Sequence, residues 1–310
     1  MNLTRAATLA TLTSLLLAAC GGGTEQQEPF VPLRYFAFGD DASAFTNDGR
    51  KYSINGLNAT TSVRDCNAQP LWIQQIAGLY GFVFAQCNPD NKTDLKAKTL
   101  AFAGAKVADV TAQIDTQIAA GGFRDKDLAT VFVGINDVVE LYQQYPARSE
   151  DSLRADARAR GERIAQAVNR LVDLGSKVVV ASVPDVGLTP YAAAQKVAFP
   201  TGIDRAALMT RLTTEMNNQL GVKVLLDGRY VGLAQVDLRF AAIGRAPLAF
   251  GFANISQGIC TTPLPDCTTA TVPTGADPNV YLWADATRLS PAGQSQLAVL
   301  AVDRAQRNPF

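Results

Sequence analysis

Two hydrophobic rhythms alternate along this chain. Short apolar runs, rich in Val, Ile, Leu and Phe, cover 35–38, 99–102, 128–135, 177–182 and 231–236. Between them apolar residues recur at every third or fourth position. Val107, Val110, Ile114 and Ile118 share one side of a helix predicted over 107–120. Leu153, Ala157, Ile164, Val168, Leu171 and Val172 form a stripe over 153–174, with arginines and acids opposite. Further helices are predicted over 71–82, over 205–221, and from 291 to about 304. Gly121-Gly122 and Gly175 supply stops, and Ser290-Pro291 supplies an N-cap followed by proline in the first turn. Runs this uniformly apolar suit strands covered on both faces. Strand and helix alternate five times, which predicts a doubly wound parallel sheet between two helical layers, a three-layer α/β/α sandwich of flavodoxin-like type.

The N-terminus departs from this rhythm. Arg5 precedes a short apolar stretch, 6–19, that ends in Leu17-Ala18-Ala19-Cys20. The stretch is short for a bilayer span and has the layout of an export signal. The last four residues resemble a bacterial lipobox, which implies cleavage after 1–19 and lipidation of Cys20. Residues 20–33, beginning Cys20-Gly21-Gly22-Gly23, read as a flexible tether. Ten such residues reach at most ~35 Å, so the folded part, 34–310, stays near a membrane. Gly21 after the cysteine resembles an outer-membrane sorting signal, facing the periplasm or the surface. These features predict a cell-envelope protein held by a lipid anchor.

Composition narrows the picture. The chain has 310 residues, 28 basic and 28 acidic side chains, and no histidine. A balanced charge offers nothing to nucleic acid, and 47% hydrophobic residues suffice for one large core. Four cysteines follow Cys20: Cys66, Cys87, Cys260 and Cys267. An even number in an oxidising compartment predicts two disulfides, with three connectivities open and proximity favouring Cys66 with Cys87 and Cys260 with Cys267. Zinc is disfavoured by the lack of histidine and of C-x-x-C spacing, and no cofactor is expected. The Thr-, Pro-, Gly- and Cys-rich segment at about 250–278 reads as a disulfide-pinned surface excursion.

In a doubly wound sheet, functional residues lie on loops at the carboxyl ends of strands. Those loops carry Gly39-Asp40-Asp41-Ala42-Ser43, Ala103-Gly104-Ala105 and Gly134-Ile135-Asn136-Asp137; Asp285-Ala286-Thr287-Arg288 precedes the last helix. Together they resemble, in order and spacing, the four motif blocks of the GDSL or SGNH ester hydrolases. Val183 to Pro190 and Pro247 to Cys260 resemble further stretches of that family. The resemblance runs from about residue 35 to the C-terminus and implies a lipase, esterase or acetylesterase ancestry. It places Gly104 and Asn136 as oxyanion-hole donors, Gly39, Asp40, Gly134 and Asp137 as supporting residues, and Asp41, Asp285 and Arg288 at the triad positions.

Two of those positions depart from the family. Asp41 stands where the family carries its nucleophilic serine, and Arg288 where it carries its histidine. The chemistry needs a hydroxyl and a base that takes and returns its proton. Asp41 has no hydroxyl, and a guanidinium stays protonated. In a serine protease, losing the serine or histidine costs on the order of 10⁶ in turnover. A carboxylate at Asp41 would also take the hydrogen bonds of Gly104 and Asn136 for itself. Serine to aspartate adds a negative charge and histidine to arginine a positive one, so Arg288 is expected to bridge Asp41 and Asp285. Other readings of the same residues are Asp41 as a loop-start acid, Asn136 and Asp137 as caps of the following helix, Ser43 as a relocated nucleophile, Asp41 as a carboxylate nucleophile, and Asp40, Asp41 and Asp285 as ligands of a hard cation. The functional expectation is an envelope lipoprotein of hydrolase fold acting as a binding or scaffolding module toward an acyl ester, an acetylated glycan or an envelope protein. The alternative is an active carboxylester hydrolase of variant mechanism.

Overall fold

The computed structural model describes residues 29–310, so the expected signal segment, the lipidation site Cys20 and most of the tether lie outside the described residues. Five parallel strands, β1 (Arg34–Gly39), β2 (Ala97–Thr99), β3 (Asp127–Phe132), β4 (Lys177–Ala181) and β5 (Val231–Ala234), form one sheet in the order β2-β1-β3-β4-β5. This is the flavodoxin-like order, and its switch point lies between β1 and β3. Every residue of β3 is buried, as a central strand covered on both sides requires.

The helices are α1 (Trp72–Leu79), α2 (Val107–Ala119), α3 (Ile135–Gln143), α4 (Glu150–Asp173), α5 (Pro190–Ala198), α6 (Arg205–Lys223), α7 (Val236–Arg245) and α8 (Pro291–Arg307). α1 packs with α8, and α8 covers β4 and β5; α2, α4 and α6 pack together on the other face. One apolar cluster runs through all three layers, from Trp72 and Leu297 on one face through Val131 and Val179 to Ile114 and Leu212 on the other. Caps fall where the chain supplies them. Ser149, Thr189, Asp204 and Ser290 accept bonds from backbone N–H groups in the first turns of α4, α5, α6 and α8.

Several expectations are revised. The second strand lies at Ala97–Thr99 rather than 99–102, because only Tyr35 to Ala37 of β1 offer it a ladder. Beyond it the Leu100 N–H still donates to the Ala37 carbonyl of β1, and Phe102 is left exposed. The third strand stops at Phe132, and Ile135 already belongs to α3. α5 and α7 add to the expected helices; they run only 9 and 10 residues, and each buries three residues or fewer. Both disulfides take the pairing that proximity favours. The excursion is more than surface decoration. Within it β6 (Asn254–Gly258) pairs in parallel with β7 (Tyr281–Trp283), and Ile259 and Cys267 join Ile54 and Ala284 in a small second core.

The tightest interhelical contact is at Gly161, midway along α4. A Cβ there would stand 2.1 Å from the carbonyl oxygen of Met216 in α6. Gly161→Ala is therefore expected to force the helices apart and to cost about 2–3 kcal/mol in a denaturant titration. Gly221→Ala, at the open end of α6 where an added Cβ meets nothing within 4 Å, should be neutral or stabilising by up to about 1 kcal/mol.

Candidate active site

β1 ends in a turn that only glycine allows. Gly39 has φ +132°, and an added Cβ would lie 1.9 Å from the Phe132 carbonyl oxygen on β3. Gln113 of α2 secures this residue on both sides: its side-chain oxygen accepts from the Gly39 N–H and its amide donates to the Gly39 carbonyl, each at 2.8 Å. The chain then forms a one-turn 3-10 helix, Asp41–Ser43, which Asp40 caps by accepting from the Ala42 N–H. This turn directs the Asp41 carboxylate across the carboxyl ends of β1 and β3.

Three donors converge on that carboxylate. Asp41 Oδ2 accepts from the Gly104 N–H and from Asn136 Nδ2, both at 2.9 Å. Asp41 Oδ1 accepts from Arg288 Nε at 2.7 Å. Arg288 Nη1 donates to Asp285 Oδ2 at 2.8 Å, and Asp285 Oδ1 accepts from the backbone N–H groups of Thr287 and Arg288. The expected bridge is present: one guanidinium spans two carboxylates held 244 positions apart in sequence, Asp41 and Asp285. Burial works against the Arg288 charge, but Asp41 and Asp285 outweigh it and raise its pKa above the ordinary arginine value. Its guanidinium also lies 5.9 Å from the centre of the Tyr52 ring.

The network fills its own cleft. The cavity among Asp40, Asp41, Ile135, Asn136, Thr287 and Arg288 measures about 10 Å³, scarcely room for one water. The hydrogen bonds that an oxyanion would need from Gly104 and Asn136 already end on Asp41. The guanidinium stands between Asp41 and Asp285, so Asp40, Asp41 and Asp285 do not form an open set of ligands for a cation.

The remaining expected residues separate clearly. Ser43 is fully buried and its hydroxyl accepts from Trp72 Nε1 at 3.1 Å, so it does not reach the cleft. Asn136 and Asp137 do not cap α3; they lie in its first turn, and Gly134 occupies the capping position. Asn136 turns to Asp41 and to the Ala105 carbonyl. Asp137 accepts from the Val107 N–H at 2.9 Å, in the first turn of α2, and from Arg160 at 3.0 Å. Burial pushes its pKa up to about 6, against the pull of the Val107 N–H and Arg160. Asp40 is buried, with one side-chain oxygen unpartnered. Burial, then the neighbouring Asp41 charge, raises its pKa well above the usual range.

Two supports escaped sequence reasoning. Gln113 holds Gly39, and Gln294 of α8 links the Ala42 carbonyl to the Trp72 N–H. Both glutamines are almost fully buried. Their visible signal is a polar amide on the apolar side of a helix, beside Ile114 in one case and Leu297 in the other.

A parallel 2-1-3-4-5 sheet with acidic and amide residues gathered at its switch point defines a flavodoxin-like α/β protein whose candidate site lies where such sheets place theirs. The chain belongs to the GDSL-like lipase/acylhydrolase family, whose model matches residues 35–299. A lipase structure from goat rumen metagenome shares this fold at 11% identity and a TM-score of 0.50, covering 90% of this chain and 100% of its own. An extracellular lipase from Streptomyces rimosus is similar at 15% identity and TM-score 0.46, over 88% of this chain and 99% of its own. An acetylxylan esterase from Geobacillus stearothermophilus stands at 12% identity and TM-score 0.45, over 89% and 96%. No curated protein matches the sequence.

Two outcomes test the bridge. Arg288→Met leaves Asp41 and Asp285 without their cation. With 32% of the Arg288 side chain in contact with solvent, the expected loss is about 1–3 kcal/mol, less than for a fully buried pair. Adding Asp41→Asn to that variant should recover part of it, and a double-mutant cycle by urea denaturation measures the coupling. Asp40 supplies a pH test. Its raised pKa means that its favourable contribution is fully present below the ordinary aspartate value and is lost as pH rises. Asp40→Asn should therefore match or exceed the parent in stability near pH 7 and lose that advantage toward about pH 4.

Proposed function

We propose that this protein is an envelope lipoprotein in which the GDSL fold has given up ester hydrolysis and serves as a binding or scaffolding module. The observation that carries the proposal is the Asp41–Arg288–Asp285 network. A guanidinium held charged by two carboxylates cannot accept a proton from an attacking oxygen. Asp41 offers no hydroxyl, and the chain has no histidine to stand in. A carboxylate nucleophile fares no better, since both Asp41 oxygens already accept hydrogen bonds and no base is positioned to activate water against an acyl intermediate. The filled cleft also argues against an acyl ester or acetylated glycan bound at this position, so the module would act through other surfaces, toward envelope proteins or the membrane itself.

The lipobox-like ending at Cys20 supports attachment to the bacterial outer membrane, on its periplasmic or surface side. Two disulfides fit an exported chain, since such bonds persist in oxidising compartments. Family membership by itself favours the opposite reading, an active carboxylester hydrolase.

Short-chain nitrophenyl esters separate the two. The unaltered protein is expected to show no turnover above an Asp41→Ala control. The paired substitution Asp41→Ser with Arg288→His restores a nucleophile and a base beside Gly104 and Asn136. It is expected to raise hydrolysis at least about a hundredfold, as general-base catalysis alone supplies. Turnover by the unaltered protein that disappears in Asp41→Ala would establish the esterase reading instead.

A further inference from the structure

The pole of the molecule where the parallel strands begin has a composition unlike the rest of the chain. Five segments meet there: 92–96 before β2, 120–126 before β3, 170–177 between α4 and β4, 223–230 between α6 and β5, and 303–310 at the end of α8. Contacts join them into one surface. The Leu33 N–H donates to the Lys126 carbonyl, Lys177 donates to the Arg229 carbonyl, and Asn308 donates to the Gly228 carbonyl. Each segment carries two cationic side chains and one acidic side chain, and Phe310 adds its terminal carboxylate. The chain as a whole has 28 of each sign, so the remainder is correspondingly acidic.

Helix geometry explains part of this. The carboxyl ends of α4, α6 and α8 lie at this pole and favour cations such as Arg170, Lys223 and Arg304. Lys92, Lys96, Arg124, Lys126 and Arg229 belong to no helix. The same loops expose apolar side chains: Val31, Leu33, Leu225 and Leu226 are 63%, 58%, 46% and 59% exposed. Tyr230 lies between Lys177 and Arg229, whose charged ends are 4.4 and 5.6 Å from its ring centre. The described chain also begins at this pole, where Phe30 packs edge-on against Phe310 at 5.5 Å.

We propose that this pole docks on a lipid bilayer carrying anionic headgroups, with Leu225 and Leu226 entering the interface and the basic loops above the headgroups. A lipid surface is favoured over a protein partner because the exposed Val31, Leu33, Leu225 and Leu226 are spread among the charges of the pole and lie outside the open hollow lined by Tyr80, Phe82, Lys92 and Lys96. Cations near an anionic surface are each drawn to it, an attraction that falls off within a Debye length. Phe30, near the start of the described residues, lies at this pole against Phe310, so a lipid anchor on the N-terminal side and this surface would act in one direction. The Asp41 end of the sheet then faces away from the membrane. Neither Asp41 nor Arg288 takes part, so the docking is independent of whether the protein hydrolyses esters.

The test uses the full chain and tryptophan reporters. The two native tryptophans, Trp72 and Trp283, are fully buried. Leu226→Trp at the docking pole and Val197→Trp on α5, 80% exposed at the other end, are mixed with phosphatidylglycerol vesicles containing brominated lipid. Quenching and a blue shift are expected for Leu226→Trp alone, stronger on anionic than on phosphatidylcholine vesicles. An N-terminal apolar segment or acyl chain would insert into both vesicle types, so the contrast isolates the pole. The combined substitution Lys92→Glu, Lys126→Glu and Arg229→Glu is expected to weaken the anionic preference at least about tenfold. Raising salt to about 0.5 M should do the same to the parent, which keeps the test decisive if that variant does not fold. Equal quenching at both reporters, none at Leu226→Trp, or equal binding to the two vesicle types would overturn the proposal.

Discussion

Arg288 ties the last loop of the sheet to the first, and the site takes its character from that bridge. Its Nε holds Asp41 on the turn after β1, and its Nη1 holds Asp285 on the loop before α8. Removing Arg288 would leave two carboxylates without the cation between them, so the bridge is the member of the network hardest to lose. Asp41 and Arg288 make sense only together. Asp41 alone would face two hydrogen-bond donors and an acidic neighbour; Arg288 alone would find Asp285 but nothing opposite. Paired, they satisfy each other and the Gly104 and Asn136 donors.

The scaffold around the bridge is built so that small shifts are costly. Gly39 permits the turn, Gln113 clamps it from α2, and Gln294 ties it to α1 through α8. Asp137 fastens the start of α2 to α4 through Val107 and Arg160, so the loop bearing Gly104 is held relative to Asn136. Asp40 is an acid whose surroundings favour its neutral form, one residue from the Asp41 carboxylate that accepts three bonds.

Much of this was legible in the amino-acid order. Five apolar runs and the long stripes of α2, α4 and α6 announce the parallel sheet, because buried strands and packed helices each impose a period. The candidate site was legible because motif residues follow strands in a fixed order, and because unlike charges replace two neutral partners. What stayed hidden has physical causes. α5 and α7 are short, and the period of α7, Val236, Phe240 and Ile243, begins inside the apolar run read as a strand over 231–236. The second strand was misplaced because ladder partners on β1, not local composition, decide where it ends. Ser43 looked like an available hydroxyl until the Trp72 indole claimed it. Gln113 and Gln294 act through the backbone across 74 and 252 positions, a relation that no local pattern encodes.

The central claim is that a fixed ion bridge occupies the place of a proton relay. Nitrogen-selected NMR of the arginine Nε–H groups reads that bridge directly, with Arg163, an exposed side chain on α4, as the reference. The account predicts that the Arg288 Nε–H exchanges with water far more slowly than that of Arg163, and that Asp41→Asn removes most of the difference. Exchange of the Arg288 Nε–H as fast as that of Arg163 in the unaltered protein would contradict it.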